Sequence, residues 1–341
     1  MVDLREGQST IFDIERDGSP RTVVLRRIMS LRQLAIFAGL TAACTSTSEP
    51  LTSSTAQAVG CPSLFCGNTP ILGAIPFWEL DETRVAFSPA GDFRIKSLRK
   101  GVVPLTPAVT GFRLYGLTKT GAEASIHNAT MEIESRSGDL FVVSIVNGPP
   151  LPYYEDGNNG TLVPTYVFTY SHMGHPIQDL CVGGLEPREA IVFQGDRYDV
   201  TTGALVAVGQ AAHPWFNIAC KEDALWKLAL MRHVEAAQDP THITTVDDRN
   251  AGIRAIRADY CGTGVPMTEL GVQVDWANRG LWLTIQPDPR LEAIWTGAGA
   301  LCVDRPRLVD LADIPCPVAS CDDYIDDWPN VGSFVTYAPE L

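Results

Sequence analysis

Cysteine, histidine and aspartate at close spacing are the residues through which this sequence could do chemistry. Cys261 follows Asp259 and precedes Gly262. A thiol at a helix end, with a carboxylate nearby and a histidine supplied from elsewhere, would act as a nucleophile. Position argues against that role, because Cys261 falls at the carboxy-terminal end of a helical stretch, where the helix dipole raises a thiol pKa. Asp259 and Arg257 are better read as a local ion pair or as caps for loop amides. His172 and His175 (HMGH) present two imidazoles to a metal, but no third ligand stands beside them in sequence, so no metal and no other cofactor is expected. Asp322, Asp323, Asp326 and Asp327 lack the Asp-x-Asp-x-Asp-Gly spacing that wraps calcium and read as a solvated acidic tail. There is no G-x-S-x-G elbow, Walker loop or H-E-x-x-H. No particular reaction is therefore indicated, and a binding or structural role is favoured over an enzyme. The alternative is an envelope hydrolase or metal-dependent enzyme using an acid pair or the HMGH histidines.

These residues need a folded body to position them, and the composition supplies one. The chain has 341 residues, 45% of them hydrophobic, which is the proportion of a globular protein with a real core. Its formal net charge is −14, so phosphate backbones are repelled and a nucleic-acid partner is excluded.

The amino terminus reads as an export signal. Arg26, Arg27 and Arg32 precede an apolar run from Leu34 to Ala43 that stops at Cys44. About ten apolar residues are too few to span a bilayer, which takes roughly 20. The small residues Thr41, Ala42 and Ala43 before Cys44 resemble a lipobox, after which the cysteine is lipidated; Thr41 stands where that motif usually has Leu. Ordinary cleavage with release is the alternative. Met29 gives a more conventional start, making residues 1–28 an extension. Residues 45–60 are Ser/Thr-rich and suit a flexible tether. The expectation is an exported, lipid-anchored protein of the cell envelope, touching membrane only through that anchor, with Thr45 permitting the outer membrane.

Beyond Cys44 there remain Cys61, Cys66, Cys181, Cys220, Cys261, Cys302, Cys316 and Cys321, an even set that suits disulfides in an oxidising compartment. There is no C-x2-C knuckle, which argues against zinc. The loops CPSLFC and CPVASC each carry Pro after the first Cys and are expected to close on themselves, leaving the pairing of the other four open to more than one connectivity.

Residues 71–210 read as short strands, among them FRIKSL, TMEIES, DLFVVSIVN, TYVFTYS and EAIVF, with Met131/Ile133 and Tyr166/Phe168/Tyr170 in alternation. The period then becomes helical. Cys220–Ala237 puts Ala224, Leu225, Leu228 and Met231 on one face, and a second helix runs from Asp248 to Tyr260, capped by Asp247 or Asp248 and stopped by Gly262 and Gly264. VQVDW, GLWLTI and LEAIW return to strand, with Trp276, Trp282 and Trp295 in the core. The fold class expected is α+β: a β-rich sandwich or barrel-like body with two helices tied in by disulfides. The loop NGPPLPYYEDGNNG would display Tyr153 and Tyr154 to a carbohydrate or an envelope protein.

One segment has a recognisable likeness. Arg257-Ala258-Asp259-Tyr260-Cys261-Gly262, followed by Gly264 and Thr268, resembles the signature of the ADYC domain, a family of exported myxobacterial-type proteins. Phe216–Cys220 with Ala224 and Lys227, and Glu292–Thr296 leading to Gly299–Cys302, match it as well. The resemblance implies export and no assigned activity. It also implies that relatives carry cysteines where this chain has Leu228 and Gly252, two positions that would pair with each other. With that pair set aside, it implies Cys181–Cys220 and Cys261–Cys302 bridges here. The organisation expected is a signal segment (1–43), a lipid-anchored linker (44–60), an amino-terminal Cys loop with the first strands (61–104), an ADYC-like domain (105–308) and an acidic extension with its own Cys loop (309–341).

Overall fold

Alternation along the chain builds the largest β-sheet. In the strand Ala129–Ser135, Ala129, Met131 and Ile133 are buried while Thr130, Glu132 and Glu134 are half exposed, as a pleated strand with one face on a core requires. The structure is a computed structural model that describes residues 69–338, apart from 90, 155–160, 183–187, 200–201, 209–213, 238–242, 270–271, 273, 279–280, 283–289 and 329. It also gives the backbone of two antiparallel strands, Phe12–Ile14 and Arg21–Val23. Cys44, the linker, Cys61 and Cys66 lie outside the described residues.

The larger sheet has eleven antiparallel strands. In spatial order they are Glu79–Asp81, Trp215–Cys220, Glu189–Gln194, Tyr166–His172, Leu140–Asn147, Ala129–Ser135, Phe93–Lys100, Val103–Thr110, Arg113–Leu117 and Glu123–Ala124, with Gln178–Asp179 paired beside Tyr166–His172. The sheet curls so that strands distant in this order meet. Gln194 N donates to Gly111 O (3.2 Å), and Leu114 N donates to the Tyr166 hydroxyl (2.8 Å). Phe93, Ile95, Met131, Ile133, Val143, Phe168, Val192 and Ile218 fill the space enclosed.

The strands Glu189–Gln194 and Trp215–Cys220 bury successive residues on both faces, and apolar residues predominate in both, with Asn217 the buried polar exception. In Glu189–Gln194, Ala190 and Val192 face the sheet's own core, whereas Ile191 and Phe193 face a layer of helices. That layer holds α1 (Ala224–Leu230) and α2 (Val246–Arg257). Beyond it lies a five-stranded antiparallel sheet in the order Leu281–Trp282, Asp275–Asn278, Phe334–Ala338, Arg290–Thr296, Gly299–Val303. Ala251, Ala255, Tyr260, Trp276, Trp295 and Phe334 join α2 to this sheet. The α+β class is thus realised as sheet, helices and second sheet in layers.

Local chemistry explains where the helices begin and end. α1 is shorter than the periodicity predicts, because residues up to Cys220 belong to the strand Trp215–Cys220 and Asp223 caps the first turn, accepting from Leu225 N (3.3 Å). α2 is capped by Thr245 rather than by Asp247 or Asp248. The Thr245 side chain accepts from Asp248 N and the Asp248 carboxylate accepts from Thr245 N, a reciprocal capping box. The helix ends at Ala258, whose φ of 51° turns the chain, so Tyr260 lies past the helix.

Disulfide pairing departs from expectation in two places. Cys181 does pair with Cys220, with Cα atoms 5.6 Å apart. Cys261, however, pairs with Cys316, and Cys302 with Cys321; neither Cys261–Cys302 nor a self-closed CPVASC loop exists. The reason is that residues 316–321 do not turn back on themselves. Ala319 bridges Cys302 in parallel, which lays the segment along the strand Gly299–Val303 and sets Cys321 opposite Cys302. Residues 309–341 are likewise more than an extension, since Phe334–Ala338 is the central strand of the second sheet. At the other end of the family-like region, the division at 104/105 falls inside the strand Val103–Thr110, and the described residues from 69 to 338 cluster as one unit.

Candidate functional site

The family-like motif is a buried structural joint. Tyr260 donates its hydroxyl to Glu292 (2.6 Å) and stacks on Trp295 with centroids 5.3 Å apart. Arg307 forks onto the same carboxylate, Nε to Oε1 at 2.7 Å and Nη2 to Oε2 at 2.8 Å. Its Nη2 also donates to Ala255 O (2.7 Å), a carbonyl in the last turn of α2 that accepts from Ala258 N as well (3.3 Å). Burial disfavours the Arg307 charge, but Glu292 outweighs it and raises the pKa. Burial followed by the Glu292 charge raises that of Tyr260 as well. Both groups therefore keep their protons.

Asp259 is paired with Arg254 (2.6 Å) and accepts from Gly264 N (2.8 Å). The loop-capping role holds for it, with Arg254 as the ion-pair partner seen. Arg257 donates to Thr202 O and Gly264 O, each at 2.6 Å, tying the motif to the loop ahead of the strand Leu205–Val208. Gly262 has φ 67°, and a side chain there would collide with the carbonyl oxygen of Ala298. Cys261 is bonded to Cys316 and has no free thiol to act as a nucleophile.

Between α1, α2 and the inner face of the second sheet lies a cavity of about 600 Å³. Capping by Asp223 sets the phase of α1. Leu225, Trp226 and Leu228 then pack toward the large sheet, while Lys227 and Met231, four residues apart on one face, line the cavity. Glu222 stands just ahead of the helix, Ala255 and Ile256 come from α2, and Asp275, Trp276, Phe334 and Thr336 come from the second sheet. Tyr154 and Arg307 close its sides.

Lys227 is the polar centre of this space. It is half buried, and burial lowers its pKa; Glu222 and Asp223 oppose that shift and Arg307 adds to it. Among the described residues no carboxylate comes within 4.0 Å of its amine. Asp223, one turn away and buried, has its pKa pushed up to about 7 by burial despite the α1 amides it caps. Lysines in such surroundings are more often deprotonated and reactive than exposed ones. A cavity with an apolar wall and a few converging polar groups is the ordinary form of a small-molecule site.

The remaining sequence candidates are dispersed. His172 and His175 stack with ring centroids 5.7 Å apart on a hairpin tip, and His172 Nε2 lies 3.8 Å from Asp139. Neither lines this cavity or the second one, of about 500 Å³, bordered by Arg113, Glu123, Asn147 and Pro150. Among the described residues no three His, Cys, Asp or Glu groups gather as a metal set. Asp322, Asp323, Asp326 and Asp327 occupy two single turns, 321–323 and 325–327. Tyr153, expected on a display loop, is only 6% exposed and packs on Phe112, whereas Tyr154 is 45% exposed and reaches the cavity.

Sequence reading noted Lys227 only as a family match. The signal that could have marked it is a lone charge in an otherwise apolar helix, ALWKLAL. Asp275, Thr336 and Arg307 carried no such signal, because they reach the site only through the second sheet and its flanking loop.

The model of the ADYC domain family matches residues 114–309. No curated protein matches the chain, and no solved structure matches it. The three disulfides among the described residues fit an exported protein, and among those residues no helix is long and apolar enough to cross a membrane.

Proposed function

The chain belongs to the ADYC domain family, and on that premise we propose that it is a cell-envelope binding protein, tethered through a lipid on Cys44, that holds a small organic molecule in the cavity at Lys227. The observation that carries this reading is the amine of Lys227, half buried and without a salt-bridge partner among the described residues, on the wall of a cavity of about 600 Å³. Burying an ammonium without a partner is costly. A site that keeps one gains from a ligand that satisfies it. Glu222 and Asp275 line the same space, and the positive charge of Arg307 is taken up by Glu292, so the charges around the cavity do not select an anion. A neutral, polar molecule with an apolar portion suits a lining that mixes Met231, Ile256 and Trp276 with Lys227, Thr336 and Tyr154.

The test uses full-length protein purified from its native envelope. It is denatured, and the small molecules released are measured by mass spectrometry against an Ile256→Trp variant, whose added ring enters the cavity. A stoichiometric compound in the wild type, missing from a variant that melts at the same temperature, is the expected result. Absence of any such compound from both would reject the cavity as the binding site. Intact mass of the same preparation reads the tether: acyl chains on a chain that begins at Cys44 are expected, and an unacylated mature chain would mean release.

A further inference from the structure

Lys227 has what an amine needs to act as a nucleophile as well as a contact. Burial lowers its pKa, and its side chain lines a cavity with no carboxylate within salt-bridge distance among the described residues. Proton carriers line the same walls: Tyr154 through its hydroxyl, Glu222 and Asp275 through their carboxylates. Arg307, the other cation there, is locked on Glu292 and cannot compete for the electrophile.

We propose that Lys227 takes an aldehyde or ketone as a Schiff base, an inference that rests on the cavity being the binding site. The neutral Nζ attacks the carbonyl carbon, a C–N bond forms, and the C=O π pair moves to oxygen, which takes a proton. The nitrogen loses a proton to a wall carboxylate, giving a carbinolamine. That proton returns to the hydroxyl, which leaves as water while the nitrogen lone pair closes the C=N bond. The iminium so formed returns its N–H proton to the wall group that protonated the carbonyl oxygen, so amine and carbonyl give imine and water, with no oxidant or reductant consumed. The ligand class is a carbonyl compound without negative charge beside the reacting carbon, because Glu222 and Asp275 would repel one.

The experiment treats full-length protein with benzaldehyde and sodium cyanoborohydride at pH 7 and maps the reduced adducts by peptide mass. Lys227 should be modified faster than exposed Lys96, because burial lowers the pKa of the Lys227 amine and so raises its neutral fraction at pH 7. The rate at Lys227 should saturate with aldehyde, and that at Lys96 should not. Equal, unsaturated rates at the two sites would overturn the proposal. A compound that co-purifies and shields Lys227 from acetic anhydride, in a protein that traps no aldehyde there, would also overturn it while leaving the cavity as a non-covalent site. Failure of co-purification, shielding and trapping together would remove both readings. The wild-type protein carries every comparison, so the outcome does not depend on a Lys227 variant folding.

Discussion

Replacing Leu228 and Gly252 together by cysteine should create a fourth bridge in the described fold, joining α1 to α2. A Cβ built on Gly252 lies 2.9 Å from Leu228 Cδ1, so the two positions face each other across the helix pair. A disulfide needs Cβ atoms roughly 3.5–4.5 Å apart, a separation set by the backbones of the two helices, and trimming Leu228 to Cys removes the Cδ1 that a Cβ at position 252 would meet. The new loop spans 228 to 252 and encloses none of the bridges seen, whose ends are 181/220, 261/316 and 302/321. For a loop of about 24 residues the chain-entropy relation gives roughly 3.5 kcal/mol at 25 °C. Loss of the Leu228 methyl groups, fully buried here, costs about 2 kcal/mol in either redox state. The clean quantity is therefore the difference between oxidised and reduced forms of the double variant. At about 2–4 °C per kcal/mol it corresponds to a melting difference of roughly 7–14 °C. Selective reduction, thiol counting and calorimetry would measure it. If the two cysteines stay free after air oxidation in a protein that melts like a Leu→Cys single variant, the facing of these helices is refuted, and with it the implied cross-link of the relatives.

The buried joint at the family motif should be sensitive to charge. Glu292→Gln leaves Arg307 charged and buried, and should cost about 3–5 kcal/mol, read as a lower urea midpoint; a loss under 1 kcal/mol would mean that Arg307 finds other partners. Gly262→Ala should cost more than about 2 kcal/mol, from the left-handed backbone and the contact with Ala298 O, and unchanged stability would deny that close approach. Asp223 carries a pH signature. Its pKa in the fold is about 7, raised from 3.8, so its stabilising share is complete below the ordinary value and is lost as pH rises through about 7. That share is roughly 4 kcal/mol on an order-of-magnitude basis. Asp223→Asn keeps a capping side chain and removes the titration, so urea midpoints at pH 5 and pH 8 should converge in the variant relative to the wild type. Glu82, pushed by burial to about 7, leaves a residual slope in both proteins, and identical slopes would contradict the assignment to Asp223.

Strands with one face on the core were readable because alternation survives in the residues themselves, as in Ala129–Ser135 and Tyr166–His172. Val103–Thr110 was not, since Pro104 and Pro107 interrupt the pattern and only pairing on both sides makes the segment a strand. Export-type cysteine use and the family motif were also legible, because both are matters of residue type and local order. The partners of those cysteines were not. Cys302 meets Cys321 only because the tail runs parallel to Gly299–Val303, and spacing along a chain does not encode which segments lie side by side. The same holds for the cavity at Lys227, whose walls come from positions 154 to 336. Local periodicity decides which side of a helix is apolar. Only the packing of α1 against the second sheet decided that its one lysine lines a half-open cavity, where partial desolvation lowers the pKa of the amine.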